Sequence, residues 1–518
     1  MLVLPDKQRL IINTDAYDQV AAAIPHAKRF DHAGKQLVAL HHGPEEAIVL
    51  KNIGLKVPEP IRSYYDWPAR FKPMDHQKDT AAFLSMNRKA LCLNSPGTGK
   101  TISALWAADY LLQEGVAHRV LIVAPLSTLT VVWAREIYHH LPHRSLQVIV
   151  GARAKRCDLL DTPGLQYAII NHDGFTNMHA ELKDFDVVIY DEGTALKTPS
   201  SQRYRIFNKW MQTHNPWLWI LTGTPISQTP TDAWTLARLV NSPYVHRSFT
   251  AFRDAVMNKV TTFKWVPRAD ALDTCKRVLQ PSIRFSLDEC TDIPDTNFVS
   301  RPTELSPTQQ RAFKAMEEHS IITFKNTEVS AANAAVLLGK LLQICCGVIY
   351  GNAGEHIAID AGPRYTALTE LLDEIGDKVI VFCPLRGVQD WLLEGLVKDG
   401  YDVAIVNGDT PKAVRNQIFS DFQGTEKIRV LLAHPKVAAH GLTLTRAKDI
   451  IWYAPIYSLE QYEQANARIR RLTTSGKTNV WHLYATKFEA ELYRRLQLKK
   501  QVLSDFLKLV QGINEDSD

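Results

Sequence analysis

The sequence predicts an α/β protein with two doubly wound, mainly parallel sheets, helical insertions and a small N-terminal module. Short continuous apolar runs, typical of strands buried on both faces, alternate with helical stretches. This alternation occurs twice, over residues 66–245 and 351–510, and a region with few strand signals separates the two lobes. The length of 518 residues is too great for one ordinary core and fits several domains.

The composition is that of a soluble globular protein, with 45% hydrophobic and 22% charged residues. Its formal net charge of +5 permits nucleic-acid binding through local patches but does not demand it. The seven cysteines form no C-x-x-C pair, so neither a zinc site nor a disulfide framework is predicted. No membrane span or secretory signal is apparent, so we expect a cytoplasmic protein, or a nuclear one in a eukaryote.

The modules follow one another in a simple order. Residues 1–65 form the small N-terminal module, and residues 66–245 form the first lobe. Residues 246–350 are expected to be a mainly helical insertion and connector, in which Ser306, Pro307 and Gln309 mark a helix start. Residues 351–510 form the second lobe, and residues 511–518 an acidic tail expected to be disordered. The predicted strands lie at 120–123, 167–170, 187–190 and 217–221 in the first lobe, and at 378–382, 403–406, 430–433, 450–453 and 480–483 in the second.

A glycine-containing loop carries the strongest chemical signal. The motif reads Ser95-Pro96-Gly97-Thr98-Gly99-Lys100-Thr101, between an apolar strand and a helical run. In this context backbone N–H groups at a helix N-terminus can enclose phosphate oxygens. Lys100 can reach the β- and γ-phosphates, and the Thr101 hydroxyl can ligate Mg²⁺. The loop therefore predicts ATP and Mg²⁺ as cofactors, although Asn94 stands where the strict pattern begins with glycine.

An acidic pair, Asp191-Glu192, ends the predicted strand at 187–190. At the carboxyl end of a parallel strand, such a pair lies beside the phosphate loop. Asp191 is then expected to hold Mg²⁺ through its water shell, and Glu192 to polarise the attacking water.

Two arginines of the second lobe are candidates for transition-state neutralisation. On a helix, Arg468 and Arg471 share a face at i, i+3, so both can point into a cleft between the lobes as arginine fingers. A solvated basic helix face explains the spacing equally well.

The ordered set of motifs resembles the Swi/Snf-type branch of helicase superfamily two over residues 66–505, which implies two RecA-like lobes. Gln77 looks like the family's adenine-reading glutamine, and Pro125 belongs to a motif similar to its first DNA-contacting one. Leu221-Thr222-Gly223-Thr224-Pro225 matches the motif that couples ATP state to lobe movement.

In the second lobe, Gly441-Leu442-Thr443-Leu444 resembles a motif that touches both the ATP site and the DNA backbone. Gln464-Ala465 followed by Arg468 and Arg471 matches the final motif, which favours the finger interpretation. Three departures occur: Thr443 replaces asparagine, residues 472–474 read Leu-Thr-Thr, and Ala485-Thr486-Lys487-Phe488-Glu489 replaces the family's C-terminal brace.

The resemblance implies a DNA-dependent ATPase that moves on duplex, forked or branched DNA through backbone contacts, of a compact bacterial, phage or annealing-helicase type. Replication or recombination proteins are possible partners, and residues 1–65 faintly resemble a junction-recognising module. One alternative is a strand-separating DNA or RNA helicase, which requires a wedge hairpin that the sequence does not reveal. A second alternative is a nucleotide-regulated nucleic-acid-binding module, but the presence of Lys100, Asp191, Glu192, Arg468 and Arg471 counts against it.

Overall fold

In the computed structural model, the described residues are 1–226, 228–261, 264–290, 294–326, 331–350, 356–438, 444–470 and 476–515. The chain divides into two compact units, Met1–Cys290 with Leu503–Asp518, and Thr291–Val502. Each unit contains one fully parallel sheet. The α/β class and the two lobes predicted from the sequence are confirmed.

The N-terminal module is built on an antiparallel sheet of order β1-β2-β4-β3. Its strands bury one face because apolar residues alternate along β2 and β4 and pack with Val20 and Leu50 of the helices. Its elements are β1 (Leu2–Leu4), β2 (Arg9–Ile12), α1 (Tyr17–Ala23), β3 (Lys28–His32), β4 (Lys35–His41), α2 (Pro44–Asn52) and α3 (Pro60–Tyr64).

The first parallel sheet has seven strands in the order β13-β5-β10-β9-β6-β8-β7. All four strands predicted for this lobe are confirmed, because each is an apolar run buried on both faces. The elements are α4 (Asp75–Ser85), β5 (Lys89–Cys92), α5 (Lys100–Gln113), β6 (Val120–Ala124), α6 (Arg135–His140), β7 (Leu146–Val148), α7 (Arg153–Leu160), β8 (Tyr167–Asn171), α8 (His172–Met178), β9 (Val187–Asp191), α9 (Gln202–His214) and β10 (Trp217–Leu221).

The region after β10 is less helical than the sequence predicts. It contains a two-stranded antiparallel hairpin, β11 with β12, and a two-residue strand, β13, that adds to the edge of the first sheet beside β5. Such short strands carry too little apolar pattern to be found from sequence. The elements are α10 (Ala233–Val240), α11 (Phe249–Val256), β11 (Met257–Lys259), β12 (Trp265–Pro267), α12 (Ala271–Val278), β13 (Ser282–Ile283) and α13 (Leu287–Cys290).

The second unit begins within the predicted connector, since β14 pairs in parallel with β21 at the edge of the second sheet. The Ser306 helix start is confirmed: the Gln309 N–H donates to Ser306 Oγ (3.2 Å), and the Ser306 N–H donates to Gln309 Oε1 (3.0 Å). The elements up to the first predicted strand of this lobe are β14 (Asn297–Pro302), α14 (Pro307–Asn326), α15 (Ala331–Cys346), β15 (Val348–Tyr350), β16 (His356–Ala358) and α16 (Gly362–Ile375).

The second parallel sheet has the order β14-β21-β20-β17-β19-β18, and its five predicted strands are confirmed. The acidic tail, residues 511–518, is expected from its sequence to be disordered, but its first residues are helical because the last helix continues to Glu515. The remaining elements are β17 (Val379–Phe382), α17 (Arg386–Lys398), β18 (Val403–Val406), α18 (Lys412–Gly424), β19 (Val430–Ala433), α19 (Pro435–Ala438), β20 (Asp449–Trp452), α20 (Leu459–Asn466), β21 (Asn479–Tyr484) and α21 (Lys487–Glu515). Among the helices of the described ranges, none has the length and apolarity that a bilayer crossing requires.

Candidate nucleotide site

Three predicted motifs start from neighbouring strand ends at the carboxyl edge of the first sheet. Strand β10 lies between β5 and β9, and Leu221 pairs with Cys92 on one side and with Asp191 on the other. The phosphate loop, the acidic pair and residues 222–224 therefore leave the sheet side by side. In a parallel sheet this edge is where ligands bind.

The phosphate loop depends on glycine conformations. Gly97 and Gly99 have φ angles of 90° and 89°, in the left-handed region that favours glycine. A methyl group added to Gly99 would also overlap the side-chain amide of Gln77. Gly99 precedes Lys100, the first residue of α5, so the N–H groups of the first helical turn point into the loop.

Two buried side chains of α4 hold the loop from outside. His76 Nε2 lies 2.9 Å from the Thr98 carbonyl oxygen, and the Gln77 amide donates to the same oxygen at 3.4 Å. Thr98 is itself buried and donates its hydroxyl to Ser95 O at 2.9 Å. The sequence motifs predict a role for Gln77 but not for His76, which no motif marks except through its position next to Gln77.

Asn94 explains the departure from the strict loop pattern. Its side chain is buried, donates to Thr80 Oγ1 on α4 (2.8 Å) and accepts the Phe285 N–H (2.9 Å) beyond β13. The Ser95 N–H in turn donates to Phe285 O at 2.9 Å. Asparagine therefore ties the base of the loop to the helix before it and to the edge strand beside it.

Replacing Asn94 with glycine, which restores the common loop pattern, is expected to weaken the protein. The Phe285 N–H loses its buried acceptor, at a cost of about 2 kcal/mol, and the loop gains backbone freedom. The thermal midpoint should fall by roughly 4–8 °C, and the KM for ATP should rise. Differential scanning fluorimetry and steady-state kinetics measure the two effects, with the exposed Asn52→Gly at the end of α2 as control. An unchanged midpoint would show that the Asn94 bonds contribute nothing.

Lys100 and Thr101 occupy the first turn of α5. The Lys100 ammonium donates to the Asn94 carbonyl oxygen at 2.7 Å, at the base of the loop. It also lies close enough to Asp191 to act on the charge of that carboxyl group. Thr101 is half-buried, in the place predicted for a Mg²⁺ ligand.

The acidic pair forms a tight turn. Asp191 accepts the Trp133 indole N–H (3.0 Å) and the N–H of Glu192 (3.1 Å), while His172 Nε2 lies 2.9 Å from its carbonyl oxygen. Burial raises the pKa of Asp191, against the opposing effects of Trp133 and Lys100. Glu192 has a φ of 54°, a left-handed conformation that is costly for a non-glycine residue and that concentrates at functional sites.

The segment 222–224 packs directly on the phosphate loop. A methyl group added to Gly223 would lie 3.2 Å from Pro96 Cδ and 3.5 Å from Asn94 O, so glycine permits the close approach. The Thr222 N–H donates to Cys92 O (3.0 Å), and the buried Thr222 hydroxyl accepts the Thr224 N–H (3.2 Å). The absence of a side chain at Gly223 thus lets this segment lie against the phosphate loop.

Pro125 lies at the same sheet edge, at the end of β6. Its carbonyl oxygen accepts the Thr128 hydroxyl at 2.9 Å, which fixes the loop that follows. The exposed Leu126 comes next. This loop is thus part of the surface that adjoins the acidic pair.

The helix assumed for the two arginines ends before the first of them. Helix α20 ends at Asn466, so Arg468 lies beyond its last residue. Arg468 is 5% exposed and its Nε donates to Gln464 O at 2.9 Å, while its carbonyl oxygen accepts the Leu444 N–H at 3.1 Å. Arg471 lies outside the described residues, as do Gly441, Leu442 and Thr443.

The second unit is braced by a buried ion pair that the sequence did not predict. Both side chains are fully buried, and Arg364 of α16 donates to both carboxylate oxygens of Glu489 of α21 at 2.6 Å. Arg364 also donates to Tyr453 O at 2.8 Å, and Glu489 accepts the Ala485 N–H at 2.9 Å. Burial opposes the charge of Arg364, but Glu489 outweighs burial and raises the pKa of the guanidinium. Glu489 thus still provides a brace in the segment that departs from the family pattern.

The first unit, with its phosphate loop, acidic pair and the segment 222–224 packed on that loop, has the form of the ATP-binding lobe of a helicase-type enzyme. Comparison with known protein families supports this class of protein. The SNF2-related domain matches residues 76–348, more than half of the chain, and the helicase conserved C-terminal domain matches residues 363–473. The chain therefore belongs to the SNF2-related family and is an ATP-hydrolysing enzyme of helicase superfamily two.

Its relatives come from phages, bacteria and animals. The p41 protein of Acyrthosiphon pisum secondary endosymbiont phage 1 is 25% identical over 79% of this chain and 92% of its own length. The Bacillus subtilis ATP-dependent helicase YqhH is 22% identical over 90% and 86%. A Xenopus tropicalis SWI/SNF-related regulator of chromatin, subfamily A-like protein 1, is 24% identical over 83% of this chain but only 44% of its own length.

Among solved structures, the Sulfolobus solfataricus SWI2/SNF2 ATPase core in complex with double-stranded DNA is 19% identical. The match covers 86% of this chain and 95% of that one, with a TM-score of 0.41.

Proposed function

We propose that this protein is a DNA-dependent ATPase that translocates on duplex or branched DNA and remodels DNA or protein–DNA complexes. The observation that carries the proposal is the packing of Gly223 on Pro96. This packing joins the phosphate loop to the segment 222–224, which in this family couples the state of the nucleotide to movement of the lobes.

The proposed chemistry uses the residues at the edge of the first sheet. Gln77 binds the adenine, and Lys100 with the loop from Pro96 to Thr101 holds the phosphates. Thr101 would provide an oxygen ligand of the kind that Mg²⁺ prefers, and Asp191 would hold the ion through its water shell. When bound, Mg²⁺ supplies neutralising charge at the phosphates. Glu192 orients and deprotonates the attacking water.

The second unit is proposed to supply the remaining positive charge. Arg468 and Arg471 would neutralise the phosphates during turnover, and Gly441 would contact the nucleotide. In this structure Arg468 Nε donates to Gln464 O, a bond that orients the guanidinium.

The proposed partner is DNA, held mainly through its backbone. The names of two relatives support this: one is a DNA annealing helicase and endonuclease of Bos taurus, and another is a chromodomain-helicase-DNA-binding protein of mouse. Pro125, Thr222–Thr224, Leu442 and Thr443 are the proposed contact and coupling residues. Residues 1–65 would recognise branched DNA, and replication or recombination proteins would be further partners.

ATP turnover is expected to rise several-fold with duplex or forked DNA and much less with single strands. A translocase on duplex should also displace a triplex-forming strand in an ATP-dependent way, without separating the duplex. Turnover is measured with no DNA, single strands, duplex and forks, beside triplex- and strand-displacement assays. Turnover that no DNA stimulates, from folded protein, would contradict the proposal.

Strand separation is the second candidate, because the β11–β12 hairpin is an accessory element of the kind that a wedge requires. It predicts displacement of a strand from a forked duplex. The strand-displacement assay distinguishes it from the first candidate.

A further inference from the structure

The segment 244–280, here called the hairpin module, carries most of the net positive charge of the chain. It contains seven lysines and arginines against three aspartates, a net charge of +4, whereas the whole chain has +5. The module consists of α11, the β11–β12 hairpin and α12. So large a local excess in so short a segment predicts an anionic partner.

Two of these basic residues lie on the β11–β12 hairpin. Met257 is buried and anchors β11, but Asn258 and Lys259 are exposed, and so is Lys264 before β12. The hairpin is held by pairing of Lys259 with Trp265 and by a bond from the Val260 N–H to Lys264 O at 2.9 Å. Within the described part of the chain, neither lysine forms an ion pair, so both ammonium groups are available to an external anion.

Two of the module's four arginines, Arg253 and Arg268, are engaged in pairs within the module. Arg253 pairs with Asp254 at 3.0 Å and its guanidinium lies 4.0 Å from the centre of the Trp265 ring. That stacking covers a face of the aromatic ring, which is therefore a poor platform for an unpaired base. Arg268 pairs with Asp270 at 3.4 Å. On the hairpin itself, Lys259 and Lys264 are point charges suited to phosphate rather than to base edges.

The module is fixed to the helix that follows the coupling segment. Cys275 Sγ lies 3.4 Å from Pro230 O, at the turn that leads into α10. The Trp234 indole of α10 donates to His246 O at 2.9 Å, and Trp234 contacts the Phe249 ring edge-on. Helix α10 is the first α-helix after residues 221–225, so the module packs on the element that follows this segment along the chain.

We infer that the β11–β12 hairpin is a binding site for the phosphate backbone of duplex DNA, contacted by Lys259 and Lys264. This inference rests on the proposed function and assigns one of its DNA contacts. A two-stranded ribbon fits along a duplex groove, and lysine contacts to phosphate serve movement on any sequence.

The test is the double variant Lys259→Ala, Lys264→Ala in the full chain, with a labelled duplex of mixed sequence as the probe. Fluorescence anisotropy should show roughly tenfold weaker binding at about 0.1 M salt, and the slope of log affinity against log salt should fall by about 2. ATP turnover without DNA should not change. The control is Lys183→Ala, Lys209→Ala, which removes two exposed lysines from the same unit.

The outcomes separate the inference from the proposed function. If wild-type protein does not bind the duplex and DNA does not stimulate its turnover, the proposed function fails. If wild type binds but the double variant binds equally well with the same salt slope, only the hairpin assignment fails. Loss confined to single strands or to the fork junction would identify a strand-separating or stacking site, and would also overturn the assignment.

Discussion

Replacing Glu192 with glutamine is expected to lower ATP turnover by roughly 100- to 10,000-fold while ATP binding persists. Glutamine keeps the size and hydrogen-bonding capacity of the side chain but cannot take a proton from water. The strained φ of 54° at this position holds the side chain after the end of β9, beside Asp191. Single-turnover hydrolysis and the affinity for a fluorescent ATP analogue measure the two effects.

The matched control for this experiment is Glu45→Gln, an exposed glutamate of the same unit in the N-terminal module. It should turn over ATP as wild type does. Equal turnover in the Glu192 variant would remove that residue from the catalytic role. Loss of nucleotide binding together with turnover would instead make Glu192 a binding residue.

Replacing Glu489 with alanine is expected to destabilise the second unit by about 3–5 kcal/mol, because a fully buried guanidinium is left without its counter-ion. The thermal midpoint of that unit should fall by roughly 10 °C. Replacing both partners, with Arg364→Met and Glu489→Leu, should recover most of the loss because neither charge then remains buried. Circular dichroism melting of the full chain follows both variants.

The control is Glu491→Ala on the same helix. Glu491 is partly exposed and pairs with Arg494 and Arg495, which lower its pKa to about 2. Surface pairs of this kind contribute little, so its removal should leave the melting curve unchanged. A Glu489→Ala variant as stable as the Glu491→Ala variant would show that the buried pair is not a brace.

Strands with long apolar runs were predictable because burial on both faces of a parallel sheet leaves a continuous signal. The runs at 120–123 and 187–190 are examples, and both are strands here. Strands β13 and β14 were missed for the opposite reason: they lie at sheet edges, and β13 has two residues. Their pairing depends on the neighbouring strand more than on their own pattern.

The helix assumed for Arg468 and Arg471 shows the limit of spacing arguments. An i, i+3 spacing places two side chains on one face only if the helix continues, and α20 ends at Asn466. Likewise, the sequence left Asn94 as an unexplained departure. Its partners, Thr80 and Phe285, lie on separate elements that only the fold brings together.

The sequence by itself determined the class of the protein, since the phosphate loop, acidic pair and coupling motif are local patterns whose chemistry demands those residue types. Tertiary structure decided how they meet: β10 lies between β5 and β9, and Gly223 packs on Pro96. It also decided the Arg364–Glu489 brace and the exposed lysines of the β11–β12 hairpin. Local patterns follow from backbone and side-chain chemistry within a few residues. Contacts between distant residues depend on strand order, which no local pattern specifies.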